Sequence, residues 1–282
     1  MSIEPIIETR GLGFSYVDGT QALVDVTISI PKGKRIAFLG PNGSGKTTLF
    51  LHFNGLMRPD RGKIFFDGRE VSYKHHRLLE LRKQVGIIFQ DPETQLFSSS
   101  VKQEISFGPI NLGLSRNDVE ERVKKAMDDT GIADLKNKPT HFLSYGQKKR
   151  VAIADILAME PRVLVCDEPT AWLDKKHEGQ IMRLLDEINS DGITVIMSTH
   201  DVDIAYSWAD YIFVMNKGSV IGEGTPEQIF YDLKLLEEAE LERPWLLDIY
   251  DDLSNKGFLN RDNPPKTKDE LLLNLANCVR GT

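Results

Sequence analysis

The stretch whose reading decides the fold is "GPNGSGKTT", Gly40 to Thr48, set inside "KGKRIAFLGPNGSGKTTLFLHFNGL". It fits G-x-x-x-x-G-K-[ST], with Gly40, Gly45, Lys46 and Thr47 at the fixed places. An apolar strand runs into it and a helix leaves from Lys46. The residue types follow from what a chain of phosphates needs. Glycines let successive backbone N–H groups turn inward around an anion, and the helix aims the positive end of its dipole at the same point. Pro41, Asn42, Gly43, Ser44 and Thr48 complete the expected cradle. Lys46 is placed to reach β- and γ-phosphates, and the Thr47 hydroxyl to ligate Mg²⁺. Average composition produces this pattern by accident in about one in a hundred chains of such length, and a strand before and a helix after make accident rarer.

Chemistry on a phosphate needs partners downstream. "VLVCDEPT" puts Asp167 and Glu168 at the end of an apolar strand. Neighbouring strand residues face opposite sides, so two separate roles are expected. Asp167 would hold Mg²⁺ through its water shell, and Glu168 would orient or deprotonate an attacking water. The plainer use of the pair is to cap a following helix. His200 ends the strand-like "TVIMSTH" and Gln90 ends "VGIIFQ". A lone histidine there is more often structural. However, ligands collect beyond the carboxyl ends of strands in open α/β sheets, which favours a catalytic His200. Gln90 cannot be a base, but its side chain can contact Mg²⁺ or the attacking water and report them to the segment that follows.

The 282 residues suit one large domain or two smaller ones, and a 40% hydrophobic, 27% charged composition is that of a globular chain. A formal net charge of −7 argues against nucleic acid as the main partner. Cys166 and Cys278 lie far apart, with neither a disulfide framework nor zinc spacing, so a reducing compartment is expected. No apolar run approaches the ~20 residues that span a bilayer, and "MSIEPIIETR" lacks the pattern of a signal peptide. A cytoplasmic chain, not inserted in lipid, is the expectation.

Strands are expected in "IIETRGLGFSY" and "ALVDVTISI", a hairpin in "GKIFFDGREV", and buried strands in "VGIIFQ", "RVLVCDEP" and "ITVIMSTHD". Apolar strands alternating with helices such as "KKHEGQIMRLLDEINS" predict an α/β core with a parallel sheet covered on both faces. A helical insert, about residues 91–159, interrupts that core. In it, "NDVEERVKKAMDDTGI" places Val119, Val123 and Ala126 on one helical face. Two further helices, in "LKLLEEAELERPWLLDIYDDL" and "TKDELLLNLANCV", predict a short extension over 241–282 behind a main domain over 6–240.

One stretch remains unexplained by a single phosphate loop. "FLSYGQKKR", Phe142 to Arg150, is a second glycine-containing turn that opens a helix, the usual way to hold an anion. The order of phosphate loop, Gln90, "LSYGQ", "DEP", "LD" and His200 resembles an ATP-binding-cassette (ABC) transporter ATPase over about Ile6 to Phe230. The resemblance implies a P-loop NTPase fold with an N-terminal antiparallel β subdomain, and ATP with Mg²⁺ as ligands. Tyr16 in "FSYVDG" matches the aromatic on which adenine stacks. It also implies two cassettes facing head to tail, a homodimer or a pair with a paralogue. In that arrangement Ser144, Gly146 and Gln147 of one cassette cover the γ-phosphate held by the other, and Asp174 matches the loop beside them. Two residues depart from the family pattern. Tyr145 stands where glycine is usual, and Trp172 stands in "AWLD" where a small residue is common. If Trp172 needs φ > 0, it is strained.

The stretch "FQDPETQLFSSSVKQEISFGPINLGL" is similar to the ATPases of energy-coupling-factor (ECF) transporters, especially the cobalt and nickel importers, with the vitamin branch as alternative. The resemblance implies a transmembrane scaffold subunit docking beside this loop, with Gln95 to Phe97 lining the groove. It also implies a substrate-binding membrane subunit and a place on the cytoplasmic face of the membrane. His75-His76 is no metal site on this reading, because adjacent helical residues do not share a face. Soluble ABC proteins of DNA repair or ribosomes carry a long coiled coil or two cassettes, neither of which is present. A GTPase would need N-K-x-D, whereas Asn216 opens "NKGS".

Overall fold

A computed structural model of the chain describes residues 4–260 and 263–280. The side chains of 278–280, and with them Cys278, lie outside that description. β1 (Pro5–Ser15) and β2 (Gln21–Pro31) pair antiparallel, and β3 (Arg35–Leu39) leads into α1 (Lys46–Phe53). β4 (Arg61–Phe66) and β5 (Arg69–Glu70) form the expected hairpin, which completes a four-stranded antiparallel sheet ordered β2-β1-β4-β5. Alternation drives it. Along β2, Val26, Ile28 and Ile30 are buried while Asp25, Thr27 and Ser29 face outward, the pattern of a sheet with one wet face.

α2 (His75–Gln84) precedes β6 (Val85–Ile88). Three helices follow, α3 (Val101–Asn111), α4 (Arg116–Asp129) and α5 (Tyr145–Leu157), before β7 (Val163–Cys166). The chain then alternates through α6 (Lys175–Ser190), β8 (Thr194–Ser198), α7 (Val202–Trp208), β9 (Tyr211–Asn216) and β10 (Ser219–Gly224). The second sheet is six-stranded, ordered β10-β9-β3-β8-β7-β6. Its strands are parallel except for β10, which turns back antiparallel at the edge.

The apolar strands explain the layering. Ile36 and Phe38 of β3 face a cluster with Phe50, Phe53 and Phe213, while Ala37 and Leu39 face the α6 side with Leu185 and Ile188. Both faces are therefore covered, as a parallel sheet requires. α4 buries Val119, Val123, Ala126 and Met127, the face its periodicity predicts.

α3 was not legible, because Gly108 and Pro109 interrupt its pattern. Ser100 nevertheless caps it, accepting from Gln103 N at 3.4 Å. α7 and the β9–β10 pair lie outside the elements that the sequence predicts, while α2 starts at the His75-His76 pair taken as helical. The expected strand ends also move inward. β6 stops at Ile88, β7 at Cys166 and β8 at Ser198, which leaves Gln90, Asp167, Glu168 and His200 on the loops beyond.

After α8 (Pro226–Phe230), the "LKLLEEAELERPWLLDIYDDL" run is broken at Pro244 into α9 (Leu233–Glu238) and α10 (Trp245–Asn255). α11 (Lys268–Arg280) closes the chain described. Leu246, Leu247, Tyr250 and Leu271 join the same apolar cluster as Tyr206 and Phe230 of the core. The Tyr206 hydroxyl donates to the Pro265 carbonyl at 3.0 Å. No helix among the described residues is long and apolar enough to cross a membrane.

Candidate active site

The carboxyl ends of β3, β6, β7 and β8 open onto one cavity of about 750 Å³, where an open parallel sheet places its ligand. Tyr16, Asn42 to Thr48, Gln90, Asp167, Glu168 and His200 all line it.

On the β3 side, Gly45 (φ 103°) stands at the N-cap of α1 and no side chain caps the helix. The first helical N–H groups are thus left for a ligand. Gly40 (φ 138°) is required by a close approach, since a Cβ there would lie 2.0 Å from the Met215 carbonyl oxygen. Lys46 folds back over the loop. Its Nζ donates to the carbonyls of Gly40 (2.7 Å) and Pro41 (3.0 Å) and to Ser44 Oγ (3.3 Å). Gly40 and Pro41 therefore serve the site through their carbonyls. Burial lowers the Lys46 pKa, and the negative charges of Glu168 and Asp167 oppose that shift. Tyr16 is tied down by a 2.9 Å hydrogen bond between its hydroxyl and Thr48 Oγ1. Its ring stands edge-on to Phe14.

The two carboxylates correct one expectation. Strand alternation would send them to opposite sides, but the strand ends at Cys166 and the chain turns at Glu168 (φ 44°), so both face the cavity. Thr47 Oγ1 donates to Asp167 Oδ2 at 2.6 Å. Ser198 Oγ donates to Asp167 Oδ1 at 2.5 Å and accepts from the Glu168 N–H at 2.9 Å. Gln90 Nε2 donates to Glu168 Oε2 at 3.0 Å, and His200 Nδ1 lies 3.6 Å from the same oxygen. The Thr47 hydroxyl and Asp167 carboxylate meet beside the phosphate loop and the Gln90 side chain lines the same cavity, and oxygen donors of this kind fit Mg²⁺ with water and phosphate as its other ligands.

Ser144, Gly146, Gln147 and Asp174 do not reach this cavity. Ser144 caps α5 in a capping box. Its Oγ accepts from Gln147 N (3.4 Å), and Gln147 Oε1 accepts from Ser144 N (3.0 Å). Gly146 sits against the ring of His177, which a Cβ would approach to 3.3 Å. Asp174 caps α6, accepting from the His177 N–H at 2.9 Å, with His177 Nδ1 2.7 Å from its other oxygen.

The two residues that depart from the family pattern meet each other. Tyr145 and Trp172 pack edge to face with ring centroids 5.5 Å apart, and Trp172 does adopt a left-handed conformation (φ 61°). The Tyr145 hydroxyl donates to the Gln90 carbonyl at 3.1 Å. Burial, with help from Asp91 and Glu93, pushes its pKa up to about 12. Lys149 was missed by the sequence reading. It is fully buried, and its Nζ donates to the carbonyls of Gln90 (2.6 Å) and Glu168 (3.3 Å). Burial brings its pKa down to about 8. The available signal was its spacing, because Lys149 falls four and seven residues before the buried Ile153 and Ile156. Ser198 was missed too, two residues ahead of His200.

In the "ETQLF" loop, Gln95 turns inward and its Oε1 accepts from Phe89 N at 3.3 Å. Phe97 faces solvent against Phe107, ring centroids 4.8 Å apart, and Ile110 is exposed as well. His75 and His76 are exposed at the start of α2 and belong to no cluster of three or more potential metal ligands among the described residues.

Known proteins share this architecture. The ABC transporter family matches residues 23–171. An energy-coupling factor transporter ATP-binding protein EcfA of Methanocaldococcus jannaschii is 47% identical over 279 residues, 98% of each chain. An ABC transporter ATP-binding protein of Methanosarcina mazei is 48% identical over 267 residues, 95% of this chain, which spans 59% of that longer relative. Among solved structures, cbiO1 of Clostridium perfringens, described as part of the ABC transporter complex cbiONQ, superposes with a TM-score of 0.76 at 44% identity. The match covers 88% of this chain and 99% of that one. A dimeric ATP-binding cassette in a post-hydrolysis state with ADP and phosphate gives 0.72 at 27% identity, over 78% and 98%.

Proposed function

The chain belongs to the ABC transporter family and is an ATPase of the energy-coupling-factor type, and from that premise we propose how its residues work and what it serves. The observation that carries the reading is the single cavity in which Lys46, the Thr47–Asp167 pair and the Gln90–Glu168 pair stand together.

ATP lies with its adenine against Tyr16 and its phosphates in the loop from Gly40 to Thr48. Lys46 leaves its carbonyl partners for the β- and γ-phosphates. Thr47, Asp167 and Gln90 would hold Mg²⁺, which neutralises charge on the phosphates when bound. Glu168 takes a proton from a water whose oxygen attacks the γ-phosphorus. The bond to the β–γ bridging oxygen breaks, releasing ADP and phosphate. His200, next to Glu168, orients the phosphate being transferred.

The second half of the site comes from another cassette, either a copy of this chain or a paralogue. Ser144, Gly146 and Gln147 of one subunit then cover the γ-phosphate held by the other, with Asp174 beside them. ATP closes the dimer and ADP release opens it. The outer faces of α10 and α11, where Trp245, Ile249, Leu272 and Leu273 are exposed, add to the dimer contact. Phe97, Phe107 and Ile110 form an apolar patch suited to a transmembrane scaffold subunit, which pairs with a substrate-binding membrane subunit. The chain works from the cytoplasmic face of the membrane. The cargo is cobalt or nickel ions, a reading supported by the sequence around "FGPINLGL".

Glu168→Gln tests the catalytic reading. It should keep ATP binding, trap a closed dimer and lower turnover by at least ~100-fold. Unchanged turnover sinks the role of Glu168. Uptake of labelled Co²⁺ and Ni²⁺ by cells expressing the full complex tests the cargo, and uptake of a vitamin instead would overturn it.

A further inference from the structure

Tyr145 and Lys149 hold one atom in common. A carbonyl oxygen offers two acceptor sites, and on Gln90 both are taken, one by the Tyr145 hydroxyl at 3.1 Å and one by Lys149 Nζ at 2.6 Å. Lys149 also reaches the Glu168 carbonyl at 3.3 Å. These are the two residues whose side chains meet in the cavity, Gln90 Nε2 against Glu168 Oε2. Spaced four apart, Tyr145 and Lys149 share one face of α5. That helix therefore grips the backbone of both members of the pair.

The grip is itself supported. The Tyr145 ring has the Lys149 ammonium 5.8 Å from its centroid and the Trp172 ring 5.5 Å away. Trp172 holds this place in a left-handed conformation that a bulky side chain adopts only at a cost in strain. Glycine at 145 could make none of these contacts.

We propose that Tyr145 is a positioning residue for hydrolysis: with Lys149 it fixes the Gln90 carbonyl, so that the orientation of α5 sets where the Gln90 amide meets Glu168. Ser144, the residue a facing subunit's nucleotide would engage, immediately precedes Tyr145. Engagement of Ser144 in one site thereby shifts the Gln90–Glu168 pair in the subunit's own site. This rests on the roles given above to Gln90 and Glu168.

The test uses the full chain and Tyr145→Phe, which removes one hydroxyl and keeps the ring. In the nucleotide-free protein, hydrogen–deuterium exchange over residues 88–92 should speed up by about five-fold or more, with the melting temperature lowered by no more than about 4 °C. With ATP and Mg²⁺, kcat should fall about five- to ten-fold, the effect of one lost hydrogen bond, while KM for ATP stays within about two-fold. In a Gln90→Ala background the same substitution should cost nothing further. Exchange and kcat both unchanged would overturn the inference, and so would fully additive losses in the double variant. These failures are separable from failure of the functional reading. If Glu168→Gln silences turnover while Tyr145→Phe is neutral, only the positioning role falls. If Glu168→Gln turns over normally, the catalytic assignment itself is wrong.

Discussion

Two glycine-containing turns open helices in this chain, and their ends are finished in opposite ways. α1 begins at Gly45 with no side chain capping it, so its N–H groups are free to take an anion. α5 begins at Ser144 with a full capping box, so Ser144 and Gln147 already satisfy one another. The first turn is open to an anion within one chain. The second is closed on itself in the single subunit, and on the reading proposed above it exchanges its internal contacts for a nucleotide held by another subunit.

This contrast can be broken by substitution. The largest effect is expected from Lys46→Ala. It should weaken ATP binding to the single subunit by about 10- to 100-fold, the range of a charged hydrogen-bonding group, as read by calorimetry. Ser144→Ala should leave that affinity unchanged and cut hydrolysis about ten-fold or more. Loss of the cap should also lower stability by ~1 kcal/mol. If Ser144→Ala weakened ATP binding to the monomer as Lys46→Ala does, the two turns would not differ in kind.

The α5 side carries a half-buried carboxyl, Asp155, that sharpens the comparison through pH. Burial, and then the nearby Glu104, holds Asp155 up at about 7 against an ordinary value of 3.8. The folded chain keeps a proton that the unfolded chain releases, so this group's contribution to stability falls as pH rises from about 4 to about 7 and is level above. Asp155→Asn should raise the melting temperature clearly at pH 8 and hardly at pH 4. Equal shifts at both values would show that Asp155 does not titrate as its burial requires.

The smallest effect belongs to Trp172→Gly. Relief of the left-handed strain is offset by the lost ring contact and by the flexibility of glycine. The net change should stay under ~1 kcal/mol. A loss of more than ~2 kcal/mol in denaturant unfolding would mean that the indole supports the fold itself.

Much of the site was legible because its chemistry is local. The phosphate loop needs glycines, a lysine and a hydroxyl within nine consecutive residues, and spacing alone reveals them. The buried strands of the six-stranded sheet announced themselves as short apolar runs, and α4 and α6 by their periodicity. α3 escaped because Pro109 and Gly108 mimic a break that its packing overrides. The side assigned to Glu168 was misjudged because alternation holds only within a strand, and β7 ends two residues earlier.

The sequence by itself determined a strand–loop–helix that cradles phosphates and the order of its partner motifs, because each follows from residue types at short spacing, while a second cassette is implied only by the resemblance to the family. Only the tertiary structure decided that Ser198 links the Asp167 carboxylate to the Glu168 backbone N–H, and that Tyr145 and Lys149 share the Gln90 carbonyl across 55 and 59 residues of chain. It also decided that Trp172 closes over Tyr145. Those contacts depend on how parallel strands and the inserted helices stack, and no local pattern encodes which backbone oxygen a distant side chain will meet.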